Sequence, residues 1–369
     1  MRAGGLDPEA LLAGPRGRRV LAELVGISGV PGWWASVHGS GPAPAPEHPD
    51  DLAPGIADRA SRFADRYEDP DAVRAAIGVA VDTNMPWQEP DGDDRLLAAP
   101  AVTEALRPVA EALCAAPVAD ELAGALAVDR QRHVRLTPES GGMGTTDAPA
   151  LRGLDSWAQR WRAATVTTEE SARQDLPTDP TYGASGEWWS TPISWTASLE
   201  APWRAPVTSP PIPSWGPDGI GSSELVWMED HGGWHLANVQ PLAPAPTPRV
   251  YEVTGPSAWA DLVGRFPLEV TASRRHDWYR HTGRDGAWAV PDWLAVREEF
   301  DAVHVTVAGY LTTAGLAVEV GDGVATVLAG WSPDLTAWLT DVLEENGPCE
   351  RWQRREAILG VRDHGWRRA

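Results

Sequence analysis

Residues 274–284 bring together the side-chain types that hold an anion and stack against a planar ring. The segment carries four arginines, the two histidines His276 and His281, and two aromatic residues. Seven of its side chains are the candidate ligand-binding residues: Arg274, Arg275, Arg280, Arg284, His281, Trp278 and Tyr279. Guanidinium groups bind phosphate or carboxylate through two parallel hydrogen bonds, and a neighbouring aromatic face can stack a nucleotide base. The segment therefore predicts a site for a nucleotide or another small anion in a polar loop. The alternative is an arginine-rich surface loop that is neutralised by nearby carboxylates.

A second candidate group lies on predicted strands of the C-terminal half. Arg249 begins one strand, His304 lies within another, and Asp334 follows the end of a third. An arginine that holds pyrophosphate, a histidine that bonds ribose hydroxyls and a carboxylate that stabilises positive charge on a ribose would together suit transfer from a nicotinamide dinucleotide. The pattern predicts these three as catalytic residues, with NAD as the cofactor. The alternative is that each is structural, with Asp334 capping a helix over residues 335–343.

The absence of lysine excludes several classes of enzyme. None of the 369 residues is lysine, and all 31 basic side chains are arginine. Schiff-base and pyridoxal enzymes, Walker-type phosphate loops, protein kinases and Ser/Lys hydrolases all depend on a lysine amine. The sequence also lacks HExxH and GxSxG, the signals of metalloproteases and α/β-hydrolases. His231 and His235 have the spacing of two metal ligands on a helix, but they lie in a predicted hairpin, and the acidic runs near residues 68–71 and 91–94 lie in predicted loops, so no metal is expected.

The charge and the cysteines limit the partners and the compartment. The formal net charge is -21, which argues against general binding to nucleic acid or to anionic membranes, because that binding needs a broadly positive face. The same acidity would attract a basic protein. Cys114 and Cys349 lie far apart and form no CxxC motif, which favours a reduced, cytoplasmic protein. No stretch approaches the roughly 18 apolar residues of a membrane span, so insertion is not expected.

Composition divides the chain into two regions, and this division predicts an α+β fold. Fifteen of the twenty tryptophans lie from Trp188 onward, whereas the earlier half is rich in alanine. Residues 1–172 are expected to form a helical region, because apolar residues recur at helical spacing over 7–25, 56–66, 71–81, 101–115 and 118–127. Residues 187–345 are expected to form a Trp-rich mixed sheet with packed helices, in which the Pro-rich connection 241–248 is a candidate internal boundary. Residues 346–369, with six arginines against three acids, are expected to form a basic tail or docking helix.

Individual elements of the Trp-rich region follow from the same patterns. Alternation of apolar and polar residues predicts a hairpin over 225–238, strands over 249–253, 268–271 and 302–310, and a second hairpin over 318–328. Helical spacing predicts helices over 256–265 and 291–300. Trp259, Trp288, Trp293 and Trp338 are predicted core anchors, because an indole buries a large apolar area.

Three runs in this region carry a resemblance to known proteins. They are Pro-Asp-Trp at 291–293, Phe-Asp-Ala-Val-His at 300–304 and Gly-Trp-Ser-Pro-Asp-Leu-Thr-Ala-Trp at 330–338. In these runs the C-terminal region resembles a family of uncharacterised actinobacterial proteins, and its layout is similar to the split sheet of the ADP-ribosyltransferases. The resemblance implies NAD-dependent transfer, although the Ser-Thr-Ser strand and the Glu-x-Glu or Gln-x-Glu pair of that type are absent.

Two functions from different classes follow. The first is a nucleotide-handling transferase or glycohydrolase, NAD-dependent and ADP-ribosyltransferase-like, which acts on a small anionic ligand or nucleotide. The second is a non-catalytic acidic intracellular protein, of interaction or immunity type, that binds a basic partner. The sequence does not decide whether the protein is an enzyme.

Overall fold

The protein has an α+β fold, as the sequence predicts. The computed structural model describes residues 5–26, 49–62, 65–83, 86–137, 151–192, 205–215, 219–229, 234–244, 247–355 and 365–369. Within these ranges it contains thirteen α-helices and thirteen β-strands arranged in three sheets.

The first part of the chain is mainly helical. Its helices are α1 (Pro8–Ala13), α2 (Pro15–Leu24), α3 (Pro49–Arg62), α4 (Asp65–Glu68), α5 (Pro70–Asp82), α6 (Gly92–Leu97), α7 (Pro100–Ala115), α8 (Val118–Leu122) and α9 (Leu154–Asp175). Asp7, Asp69 and Asp91 cap α1, α5 and α6 by accepting hydrogen bonds from backbone N–H groups that otherwise lack partners. The predicted helix over 7–25 is two helices, because Pro15 has no N–H group and starts a new one.

Helix α9 was missed by the sequence analysis. Its buried residues include Leu154, Trp157 and Trp161, which recur at the spacing of one helical face. The signal was therefore present in the sequence.

The described chain also contains thirteen strands and four further α-helices. The strands are β1 (Gln131–Thr137), β2 (Val207–Thr208), β3 (Leu236–Ala243), β4 (Val250–Val253), β5 (Pro267–Glu269), β6 (Ala287–Pro291), β7 (Ala302–Val305), β8 (Ala317–Gly321), β9 (Val324–Val327), β10 (Leu335–Trp338), β11 (Glu344–Glu345), β12 (Glu350–Arg354) and β13 (Trp366–Arg368). The helices among them are α10 (Pro256–Arg265), α11 (Thr271–Thr282), α12 (Trp293–Glu299) and α13 (Val307–Thr313).

Three sheets organise these strands. The first has the order β1-β3-β12-β13, with β11 also paired to β3, and all its pairs are antiparallel. The second has the order β2-β10-β7-β4, in which only β4 and β7 are parallel. The third has the order β5-β6-β9-β8, in which only β6 and β9 are parallel. The second sheet positions the predicted catalytic residues.

One hydrophobic core joins the helical region to the Trp-rich region. Its buried members run from Leu6, just before α1, to Trp366 in β13, and α13 packs against α1 and α2. The predicted anchors are all fully buried: Trp259, Trp288, Trp293 and Trp338. The two regions that differ in composition therefore share their interior.

In two places the structure has strands paired over long range where the sequence predicts a local hairpin or a basic tail. The predicted hairpin over 225–238 is wrong, because 223–225 is a short 3-10 helix and β3 pairs with β1 and β12. The turn of that hairpin, 230–233, lies outside the described residues. The Pro-rich connection begins inside β3, which contains Pro241. In the basic C-terminal segment, Trp352 and Trp366 are buried on β12 and β13, so these residues belong to the first sheet.

Other predicted helices and strands of the Trp-rich region agree with the structure or differ from it at one end of the element. Helix α10 has the predicted bounds, and β8 and β9 form the predicted hairpin. The predicted strand over 302–310 ends at Val305, because the Thr306 hydroxyl accepts a hydrogen bond from the Gly309 N–H and caps α13. Glycine is required at 309, where a Cβ atom would collide with the carbonyl of Val253.

Candidate functional site

The basic segment 274–284 lies almost wholly on helix α11, so the predicted loop is wrong. The helix begins where the carboxylate of Glu169, on α9, accepts hydrogen bonds from the N–H groups of Ala272 (2.9 Å) and Ser273 (2.8 Å). A carboxylate in this place satisfies two unpaired donors and meets the positive end of the helix dipole. The helix ends at Gly283, whose φ of 73° suits glycine.

The first two arginines of α11 hold the preceding segment of the chain. The buried guanidinium of Arg274 lies 3.2 Å from the Glu187 carboxylate, donates to the Trp189 carbonyl (3.3 Å) and lies over the Trp189 ring. Burial lowers the pKa of Arg274, and the neighbouring carboxylates oppose that effect. Arg275 donates to the carbonyl of Pro177 (3.3 Å). Both side chains therefore bind parts of the protein itself.

The other two arginines are bound in the same way. Arg280 donates to the carbonyls of Gly183 (2.8 Å) and Trp87 (3.3 Å). Arg284 donates to the Glu319 carboxylate (2.9 Å) and the Gly323 carbonyl (2.7 Å), and it lies over the Trp288 ring. Arg274, Arg275 and Arg280 donate to acceptors within residues 177–189, and Arg284 donates to residues 319–323. Each guanidinium is thus bonded to carbonyls or carboxylates of the chain itself, so the four do not form one open anion site.

The rings of the segment also have internal partners. Trp278 is fully buried and donates from its indole nitrogen to the Trp188 carbonyl (2.7 Å). His281 is bonded through Nδ1 to the Gln88 carbonyl (3.1 Å), and burial lowers the pKa of His281 to about 4. His281 is therefore neutral near pH 7 and brings no positive charge. Tyr279 is half-buried, and its carbonyl accepts the N–H of Gly283.

A cleft of about 600 Å³ opens beside α11. Its lining residues come from three separate segments: Trp87, Gln88, Glu89, Ala184, Gly186, Trp188, Asp277 and Arg280. The ring centroids of Trp87 and Trp188 are 4.8 Å apart at an interplanar angle of 49°, and both indoles are half-buried. Of the seven residues predicted to bind an anion, Arg280 is the one in this lining.

Helix α11 positions both indole-bearing segments of the cleft. The carbonyl of Trp87 accepts from Arg280, and the carbonyl of Trp188 accepts from Trp278. The next carbonyl along, that of Gln88, is the partner of His281. The basic and aromatic side chains of α11 thus support the walls of the cleft.

Asp277 lies at the floor of this cleft and is fully buried. Its Oδ2 accepts hydrogen bonds from the Ser185 hydroxyl (2.6 Å) and the Gly186 N–H (2.9 Å). Among the residues that the structure describes, its Oδ1 has no hydrogen-bond partner, and the nearest cation, Arg280, is 3.8 Å away. A buried carboxylate oxygen without a donor leaves negative potential at that point.

The second predicted site contains a histidine between two carboxylates. His304, on β7, is fully buried; its Nδ1 lies 2.5 Å from Glu252 Oε2 and its Nε2 lies 3.0 Å from Asp334 Oδ1. Glu252 lies directly opposite His304 in the parallel pairing of β4 with β7, and its other oxygen accepts the N–H of Leu126 (3.0 Å). The structure therefore brings His304 and Asp334 together and adds Glu252.

The two carboxylates keep His304 protonated. Burial alone lowers the pKa of this imidazole, but hydrogen bonds and charge from Asp334 and Glu252 outweigh burial and raise the pKa of His304 to about 9. Near pH 7 both ring nitrogens carry protons and donate them to the carboxylates. A general base needs a free lone pair on nitrogen, so His304 cannot accept a proton in this state.

Arg249, the third predicted catalytic residue, is held at the other end of the strand pair. Its guanidinium donates to both carboxylate oxygens of Asp301 (3.1 and 3.0 Å) and to the Glu298 carbonyl (3.0 Å). The Asp301 side chain also accepts the N–H of Arg249 and the hydroxyl of Thr340. Arg249 thus closes the start of β4 and does not join His304.

Asp334 lies in a turn and not at the start of a helix. Its φ of 59° is left-handed, a conformation that aspartate tolerates better than most side chains. Residues 335–338 form β10, so the helix expected over 335–343 is wrong. The turn points the carboxylate of Asp334 back to His304. In the antiparallel pairing of β10 with β7, Thr336 is the residue opposite His304.

Some site residues had a signal in the sequence and some had none. Glu252 follows Arg249 by three positions on a strand that was predicted, so pairing that strand with the one carrying His304 would have found it. Trp87, Trp188 and Asp277 are far apart in the chain, and only packing shows that they share a cleft.

Comparisons with known proteins add no functional assignment. No protein-family model, curated protein or solved structure matches the chain. Among the described residues, no helix has the length and apolar character that a bilayer crossing requires, and no cluster of three or more His, Cys, Asp or Glu side chains could hold a metal ion.

Proposed function

We propose that this protein is a non-catalytic binding protein that recruits a basic partner through its acidic surface. The observation that carries the proposal is the internal use of the arginines on α11. Arg274, Arg275, Arg280 and Arg284 all donate to carbonyls or carboxylates of the same chain. This basic segment is thus built into the fold, where it contributes little to the outer surface.

The charge of the whole chain supports this proposal. A net charge of -21 gives a negative potential that attracts cations over about one Debye length, roughly 8 Å at physiological salt. Association with a basic partner would gain speed and selectivity from this field, and salt would weaken it. We also propose that the protein acts in the cytoplasm, as the sequence predicts.

A nucleotide-handling, NAD-dependent transferase is the competing proposal, and one observation favours it. His304 and Asp334, two of the three predicted catalytic residues, are in contact. However, both nitrogens of His304 are bonded and Arg249 is paired with Asp301. We therefore rank this function second.

Calorimetric titration with two groups of probes separates the two proposals. We expect a short oligoarginine peptide to bind saturably, with an affinity that falls as salt rises from low to physiological concentration. NAD and ADP-ribose are expected to give no heat of binding and no rise in melting temperature. A ligand at 100 times its dissociation constant stabilises a protein by about 2.7 kcal/mol, so dinucleotide binding would be evident in a thermal shift. Stabilisation by NAD without peptide binding would overturn our first choice.

A further inference from the structure

We propose that the cleft between Trp87 and Trp188 receives an arginine side chain of the basic partner. This inference rests on the proposed function and assigns it a site. The cleft, of about 600 Å³, lies in the range of pockets that hold small ligands. It can therefore accept one long side chain together with part of the peptide that carries it.

The aromatic wall suits a guanidinium group. Trp87 and Trp188 are half-buried, whereas the core tryptophans, such as Trp278 and Trp288, are fully buried. Exposed indole surface attracts cations through the negative face of the ring, and guanidinium also stacks on it because it is planar and weakly hydrated. The protein already uses this contact inside the fold, where Arg274 lies over Trp189.

Acidic groups lie at the rim and at the floor of the cleft. The side chain of Glu89 is 68% exposed, and its nearest cation, Arg95, is 3.8 Å away and similarly exposed. Such a surface pair is weak and open to exchange with a new partner. Asp277 adds the unpartnered Oδ1 at the floor. Because Asp277 is fully buried, it acts on an occupant through its charge, and Glu89 supplies the direct contact.

Among the described residues that line the cleft, Arg280 is the one cation. It is fixed by two carbonyls and lies 3.8 Å from Asp277. The charged groups of the described lining are Glu89, Asp277 and Arg280; two negative charges against one positive charge give a formal charge of -1. The cleft therefore favours a cation over an anion. We expect the partner's guanidinium to lie over the indole rings of Trp87 and Trp188, on the side nearer to Glu89.

Peptide titrations with matched variants test the site. Oligoarginine and oligolysine peptides of equal length and charge are titrated into the full-length protein by calorimetry. We expect the arginine peptide to bind more tightly, because lysine has the charge but cannot stack as a plane. We expect Glu89→Gln and Trp188→Leu each to raise the dissociation constant for oligoarginine roughly two- to fivefold.

Two control variants remove the same groups elsewhere. Glu104→Gln deletes a carboxylate that is 70% exposed on α7, so it reports the effect of net charge alone. Trp234→Leu deletes a half-buried indole just before β3. Both are expected to leave the preference for arginine unchanged, and circular dichroism verifies that all four variants are folded.

The outcomes distinguish the cleft from the general function. If oligoarginine binds, but both peptides bind equally and the cleft variants behave like their controls, the cleft assignment is overturned and the acidic binding function stands. If neither peptide binds the unaltered protein, the proposed function fails and the cleft assignment fails with it. If Glu89→Gln and Trp188→Leu weaken oligoarginine binding and their controls do not, the result supports both the acidic binding function and the cleft assignment.

Discussion

His304 Nε2 lies 3.0 Å from Asp334 Oδ1, and the same ring is bonded on its other nitrogen to Glu252. The imidazolium thereby joins β4, β7 and the turn before β10. Removing one member of a buried ionic group leaves the others without a counter-charge, and this usually costs more than the intact group contributes.

We expect His304→Gln to lower the free energy of unfolding by about 3 kcal/mol, because Glu252 and Asp334 then lose the cation between them. Urea denaturation at pH 7 measures the change. His235→Gln, at a half-buried position before β3, is the control and is expected to cost less than about 1 kcal/mol. A loss at His304 no larger than at His235 would contradict the role assigned to the cluster.

Stability is expected to fall at alkaline pH because of His304. Its pKa is raised to about 9 in the folded protein, compared with about 6.5 in an unfolded chain. The folded state therefore binds more protons between these values, and stability present below about pH 6.5 is lost as the pH rises through 9. The contribution of this group is about 3 kcal/mol. Between pH 6 and pH 10, the free energy of unfolding is expected to decline less in His304→Gln than in the unaltered protein. If the two proteins show parallel pH curves, the group that releases the proton is not His304.

His281 is expected to have the opposite effect, at acid pH. Burial lowers the pKa of His281 to about 4, so the unfolded chain binds more protons below about pH 6.5. The stability that comes from keeping this ring neutral is complete above that pH and falls by about 2 kcal/mol by about pH 5. His281→Asn keeps a donor towards the Gln88 carbonyl and is expected to reduce the loss between pH 7 and pH 5. An identical loss in the variant would refute the assignment.

Glu169→Ala is expected to destabilise the protein by about 1–2 kcal/mol, because the first N–H groups of α11 lose their acceptor. Glu170→Ala, at the neighbouring exposed position of α9, removes an equal charge without touching α11 and is the matched control. Thermal unfolding of the two variants gives the difference. Equal melting temperatures would show that the cap contributes nothing.

Local patterns predict several elements whose buried face is apolar, although they leave α9 unassigned. Helix α10 begins at Pro256 and buries Trp259, Leu262 and Val263, so its spacing alone indicates a helix. The hairpin of β8 and β9 turns at Asp322 and Gly323, which both adopt positive φ, and such turn residues are recognisable in a sequence.

Helix α11 was predicted as a loop because its buried face is polar. Arg274, Asp277 and His281 are buried on it, and a hydrophobic pattern cannot reveal a face that is buried by ion pairs and hydrogen bonds. The hairpin over 225–238 was wrong for a related reason. Its second half, residues 236–238, satisfies its backbone groups with β1 and β12, and these partners are distant in sequence.

The sequence by itself determined the fold class, the lack of lysine chemistry, the strong negative charge and the candidates His304 and Asp334. These properties depend on composition and on patterns within single elements. Only the tertiary structure decided that Glu252 completes the His304 cluster, that Arg249 is paired with Asp301, and that α11 supports a cleft with Trp87, Trp188 and Asp277. The physical reason is that a guanidinium or an imidazole takes its charge state and its role from the groups packed around it, and those groups come from distant parts of the chain.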